Sequence, residues 1–206
     1  KIRNQMSENA GFPNYRDYAH KRLGRFDYSP DDCISFQNAI EEEMVPLLRE
    51  LQEERLQALE IKELRPWDTA TDPQGLPPLK PFKTVSDLID RSQAIFNQVD
   101  GNLADWFQIM QDLDLLDLAN RKGKAPGGYQ CSLDESRLPF IFMNSVGVQR
   151  DVETLLHEAG HAFHAMASQN EPLHSYRHAP IEFCEVASMA MELLGSEFLE
   201  EFYSIE

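Results

Sequence analysis

The chain is poor in cysteine, in basic residues and in long apolar runs. Three cysteines in 206 residues, Cys33, Cys131 and Cys184, are too few and too scattered for a disulfide framework or a thiolate zinc cluster, which need closely spaced pairs. They read as free thiols, and a reducing cytoplasm is the expected setting. Lys and Arg total 19 against 35 Asp and Glu, a net charge of −16. That balance argues against a nucleic-acid partner, because phosphate binding draws on clustered cations that release counterions. No stretch approaches the roughly 18 uninterrupted apolar residues of a membrane span, and the polar residues 1–9 are unlike a secretory signal, so no membrane partner is expected. Internal repeats and low-complexity stretches are missing too. What remains, 42% hydrophobic and 26% charged, is an ordinary globular composition. A start at Lys1 rather than Met, and a stop at Glu206 directly after a helical pattern, lead us to expect an internal segment of a longer protein.

Residues 1–28, interrupted by Gly11, Pro13 and Gly24, predict turns and short helix. Ser29-Pro30-Asp31 then opens a long helical pattern. Proline suits a helix start, where its missing N–H has no intrahelical acceptor, and acidic residues suit the positive end of the dipole. Apolar residues follow at Ile34, Ile40, Met44, Leu47, Leu48, Leu51 and Leu59, with a kink expected at Pro46. Five prolines in residues 64–82 exclude a regular helix and predict an extended connector. Thr84-x-x-Asp87 has the form of a helix cap ahead of Leu88, Ile89, Ile95, Phe96 and Val99. Asp100-Gly101-Asn102 should break that helix, and residues 103–118 predict another. The basic run Arg121-Lys122-Gly123-Lys124 reads as a solvated turn. Residues 129–133 and 139–143 are β-prone and predict an antiparallel pair. The expected fold is mainly α with a small antiparallel β element, divided into a helical region (1–119) and a second region (120–206) that holds the β element.

The chemistry concentrates in His157-Glu158-Ala159-Gly160-His161. Within a helix, His157 and His161 lie one turn apart on one face, so both imidazoles can reach one tetrahedral zinc, with Glu158 beside them as a base rather than a ligand. A catalytic zinc usually takes three protein ligands and leaves its fourth position to water. Glu185, 24 residues after His161 in a second helical pattern that follows Pro180, is the chosen third ligand, with Glu182 and Glu192 as competitors. Glu192, seven residues beyond Glu185, and Glu153, four before His157, are candidates to accept a hydrogen bond from a ligand histidine's other nitrogen. His164 as a fourth ligand would fill the open position, so a packing or hydrogen-bonding role is preferred. Cys184 points about 100° away from Glu185 on a helix and reads as packing. The pattern points to metal-assisted hydrolysis with Glu158 as general base. The alternatives are a non-catalytic zinc- or peptide-binding fragment, and a metal-dependent hydrolase acting on another substrate.

These residues resemble the thimet oligopeptidase and oligoendopeptidase F family of zinc metallopeptidases, peptidase family M3, particularly its bacterial oligoendopeptidase-like branch. The likeness extends to Phe183-Cys-Glu185-Val-Ala-Ser, Asn14-Tyr-Arg-Asp-Tyr18, Arg25-Phe-Asp-Tyr28, Leu64-Arg-Pro-Trp-Asp68, Arg121-Lys-Gly-Lys-Ala-Pro-Gly-Gly-Tyr129 and Pro139-Phe-Ile-Phe-Met-Asn144. The resemblance implies a helical protein with a zincin-like core around a deep channel, one Zn2+ per chain, and cleavage of short peptides. It carries the zinc ligands to His157, His161 and Glu185, the catalytic glutamate to Glu158, and substrate-backbone pairing to the strand edge at Gly127, Gly128 and Tyr129. Family members continue past the third ligand into helices and a loop whose histidine and tyrosines help bind the substrate carbonyl. His174, Tyr176 and His178 precede Glu185 and do not substitute for those positions. The expected partners are therefore short peptides and the remainder of the parent chain.

Overall fold

Capping chemistry sets where four of the described helices begin. In the computed structural model, which describes residues 1–203 and leaves Ser204, Ile205 and Glu206 outside the described residues, Asn14 accepts from the Asp17 N–H to start α2 (Tyr15–Arg22), after α1 (Ile2–Asn9). Ser29 and Asp32 form a reciprocal capping box at α3 (Pro30–Ala39). A π-helical turn, Ile40–Met44, joins α3 to α4 (Val45–Ala58), with Pro46 in the first turn of α4. The irregularity expected at Pro46 therefore falls just before it. Proline has no N–H to return to the Glu42 carbonyl, and the wider turn absorbs the missing bond. The proline-rich connector carries only the short 3₁₀ turn Asp68–Ala70.

The chain forms two compact units, Lys1–Pro78 and Leu79–Glu206. The division expected at 119/120 lies inside the second unit, between two strands of one sheet. In that unit Thr84 caps α5 (Val85–Val99), accepting from the Asp87 N–H at 3.1 Å. Asp100 ends α5 and caps α6 (Gly101–Asp112).

The helix expected to run to residue 118 stops at α6, and residues 116–119 are a strand instead. Asp114 takes the left-handed conformation (φ 54°), and the Leu115 N–H closes back to the Met110 carbonyl at 2.9 Å, a helix-ending turn usually made by glycine. Released from the helix, β1 (Leu116–Ala119) pairs parallel with β3 (Leu138–Ser145), whose other side pairs antiparallel with β2 (Tyr129–Leu133). The expected antiparallel pair is thus two thirds of a mixed sheet of order β1-β3-β2. Burial along β3 alternates residue by residue, with Pro139, Ile141, Met143 and Ser145 turned inward.

The basic run also differs from a solvated turn. The Lys124 side chain is 1% exposed and its ammonium donates to Asp117 Oδ1 (3.0 Å) and to the carbonyls of Asp117 and Ala119 (both 2.8 Å) and Met143. It ties the loop between β1 and β2 down to β1 and to the central strand β3. α7 (Gln149–Ser168) packs over the sheet and α8 (Ile181–Ser196) against α7. Phe96, Phe107 and Phe163 meet edge to face at 4.8 and 5.0 Å in the core. Among the described residues no helix is long and apolar enough to cross a membrane.

Candidate metal centre

The centre rests on how α7 is started and how closely α8 approaches it. Asp151 fixes the start: its Oδ2 accepts from the Val146, Gly147 and Val148 N–H groups at 2.8, 2.8 and 3.0 Å, so the chain leaving β3 turns sharply into α7. Gly147 makes that turn with φ 88°. The approach of α8 depends on Gly160. A Cβ there would lie 2.6 Å from Ser188 Cα and 2.8 Å from the Ala187 carbonyl oxygen, so only hydrogen allows the two backbones this separation.

That contact brings Glu185 to the two histidines. Its Oε2 lies 3.4 Å from His157 Nε2, and its Oε1 lies 3.8 Å from His161 Nε2. All three donor atoms fall within 4.8 Å of one another. Tetrahedral zinc with bonds of about 2.05 Å separates its ligand atoms by about 3.3 Å, so the set fits a zinc ion with little movement. Ser188, fully buried, donates to Glu185 through its hydroxyl and holds the carboxylate's helix turn.

Of the two glutamates proposed to orient a histidine, Glu192 accepts from His157 Nδ1 at 2.6 Å. This leaves Nε2 free to face the shared point. Glu153 is engaged instead by Gln149 and Arg150, at 3.2 and 3.1 Å. Burial lowers the pKa of His161, against the opposing pull of Glu185, and so favours the neutral imidazole that a metal requires. His164 lines the cavity beside His161 but stands outside the three-atom set. Cys184 lines that same cavity, half-buried, with Sγ 3.7 Å from the Ala179 carbonyl oxygen, and burial raises its thiol pKa.

Glu158 is buried, and burial pushes its carboxyl pKa above the ordinary value, opposed by His157 and by a backbone hydrogen bond from Gln130 on β2. A cavity of about 220 Å³ is lined by His157, Glu158, Glu192, Glu153 and Gly128. A second, of about 190 Å³, is lined by His161, Glu185, Gln130 and His178. Gly127 has φ 98°, and a Cβ on Gly128 would stand 3.0 Å from Thr154 Cγ2. Tyr129 stacks on Phe142 at 5.0 Å, half-exposed, at the start of an edge strand.

Sequence reasoning missed Gly160, Asp151 and Lys124. The signal for Gly160 was present: a glycine inside a helix costs about 1 kcal/mol relative to alanine, which asks for a packing reason.

The sequence profile of peptidase family M3 matches residues 1–204. Over 156 residues the chain is 25% identical to the chromosomal oligoendopeptidase F of Lactococcus lactis subsp. cremoris, covering 75% of this chain and 25% of that protein. Among solved structures, PZ peptidase A with an inhibitor superposes with a TM-score of 0.91 and 30% identity, over 98% of this chain and 36% of that one. A Bacillus anthracis str. Ames protein assigned to oligoendopeptidase F gives 0.91 and 28%, over 98% and 37%. The chain thus spans 25% of the curated relative and little more than a third of these structures.

Proposed function

The chain belongs to peptidase family M3, and from that premise we propose that it carries the zinc-binding and base-bearing part of an endopeptidase that hydrolyses short peptides. One observation carries the reading: His157, His161 and Glu185 converge from two helices at ligand spacing, with Glu158 in the same turn of α7. Zinc bound there would supply Lewis acidity towards a water and the scissile carbonyl.

The chain's own residues do the rest. Glu158 takes the proton of the attacking water and passes it to the departing amine. Its raised pKa brings it nearer the working range of a base that must also act as an acid. Glu192 holds the His157 ring through Nδ1. Gly128 borders the Glu158 cavity at the start of β2, which is an edge strand. A peptide laid along this edge would present its backbone to the base independently of its side chains.

The test joins metal content to turnover of an internally quenched peptide. Glu158→Gln should retain zinc and lose on the order of 100-fold or more in kcat. Unchanged turnover would remove Glu158 from the role. Saturable peptide binding without cleavage by the unmodified chain would favour a binding fragment, a reading the 36% coverage of PZ peptidase A keeps open.

A further inference from the structure

A second set of metal-type donors lies outside the candidate centre. Asp134, in the turn between β2 and β3, has its Oδ1 3.4 Å from His174 Nε2 and 3.8 Å from His178 Nε2. These donor atoms also lie within 4.8 Å of one another. We propose that Asp134, His174 and His178 form a second divalent zinc site, open to solvent, at the rim of the cavity that reaches His161 and Glu185.

The spacings match the first set and the roughly 3.3 Å between ligand atoms of tetrahedral zinc. Two imidazole nitrogens facing a single carboxylate oxygen are a donor set suited to zinc and its neighbours in the first transition row. The frame around them is held. Asp134 sits in a turn closed by the Arg137 N–H to the Leu133 carbonyl at 2.7 Å. His174 and His178 are four residues apart across the 3₁₀ turn His174–Tyr176, their rings 5.0 Å apart. The Arg177 guanidinium between them donates to the Glu171 and Pro172 carbonyls at 2.7 and 3.2 Å. Arg137 donates to the Gln169 carbonyl at 3.1 Å, so the strand turn and the loop after α7 are fastened together.

The side chains are 51 to 67% exposed, against 15 to 44% for His157, His161 and Glu185. The outer site should therefore bind more weakly and exchange faster, with water completing its shell. His178 also lines the cavity shared with His161 and Glu185, so an ion here would sit beside the route to the inner donors. The site stands independently of the role proposed for those donors.

Zinc titration of the 206-residue chain, read as metal bound per chain after equilibrium dialysis, tests it. The unmodified chain should take up about two zinc ions, one tightly and one weakly, each set of three donors holding one. The His174→Ala/His178→Ala variant should lose the weak one alone, and His161→Ala the tight one alone. Cobalt supplies a second readout, because the double variant should lose part of the visible absorption of tetrahedral Co2+. Two zinc ions retained by the double variant would overturn the proposal, as would a single ion that disappears in His161→Ala. A single ion lost in the double variant but kept in His161→Ala would sustain it and remove the inner centre instead.

Discussion

The two compact units differ in how they use their apolar residues. In Lys1–Pro78 the buried residues are Ser7 and His20, while Ile34, Phe36, Leu47, Leu48 and Leu51 are exposed. The core lies in Leu79–Glu206, where Phe96, Phe107, Leu155 and Ile141 are fully buried and every candidate ligand is placed. Two helices of the first unit, α2 and α3, are started by side-chain caps, yet the unit has little of the burial that stabilises a tertiary fold. Helix formation and core formation are therefore separable here, and the site belongs to the unit that has both.

The largest expected effect tests that division directly. Phe96→Ala should cost about 3–5 kcal/mol in chemical denaturation, by removing an aromatic ring packed between two others. Leu51→Ala, on an exposed face, should change stability by no more than about 0.5 kcal/mol. A comparable loss from Leu51→Ala would mean that the apolar row of α4 is covered in solution, and the contrast would fail.

The next effect sharpens the comparison within the second unit. Gly160→Ala forces a methyl into the α8 backbone and should cost about 1–3 kcal/mol and lower zinc uptake together. Gly101→Ala, where nothing lies within 4 Å, should shift stability by under about 1 kcal/mol in either direction. Thermal melts with zinc analysis separate the two. Full zinc binding by Gly160→Ala would show that α8 can withdraw without carrying Glu185 away.

The grouping of His157, His161 and Glu185 was legible because helical geometry converts spacing into a shared face, and a second helix with glutamates at seven-residue spacing had to present one of them. The starts of α3 and α5 were legible for a similar reason, Ser29 and Thr84 being caps whose chemistry is local, whereas Asp100, expected as a break, also caps α6, which begins two residues before the expected start at Leu103. β1 was not legible, because Leu115, Leu116 and Leu118 suit a helix as well as a strand, and the choice is made by Asp114's left-handed turn and by pairing with a strand more than twenty residues later. Lys124 was misread because three of its four partners are backbone carbonyls, which leave no mark in a sequence. The Asp134, His174 and His178 set spans 45 residues in two loops, and only the tertiary fold brings it together.

A smaller effect addresses the one buried cation in an otherwise exposed loop. Lys124→Met deprives three carbonyls and a carboxylate of their donor and should cost about 1–3 kcal/mol, whereas Lys122→Met on the same loop should stay within about 0.5 kcal/mol. Equal effects in urea denaturation would restore the solvated turn.

The smallest effect concerns the acid side of the same clasp. Arg121, in a bidentate pair at 2.6 and 2.8 Å, and then Lys124 hold the Asp117 carboxyl down to about 2 from an ordinary 3.8. A carboxylate whose folded-state pKa is depressed binds protons more readily in the unfolded chain. Its contribution is therefore complete above pH 3.8 and is lost as pH falls through about 2. Solvent screening at this partly exposed pair limits the contribution to about 1 kcal/mol. Other carboxylates titrate in the same window, so the useful quantity is the difference between the unmodified chain and Asp117→Asn. Urea midpoints should separate the two at pH 5 and converge near pH 2. Parallel curves would mean that Lys124 holds the loop through its carbonyl partners alone, with the ion pair contributing nothing to the second unit's stability.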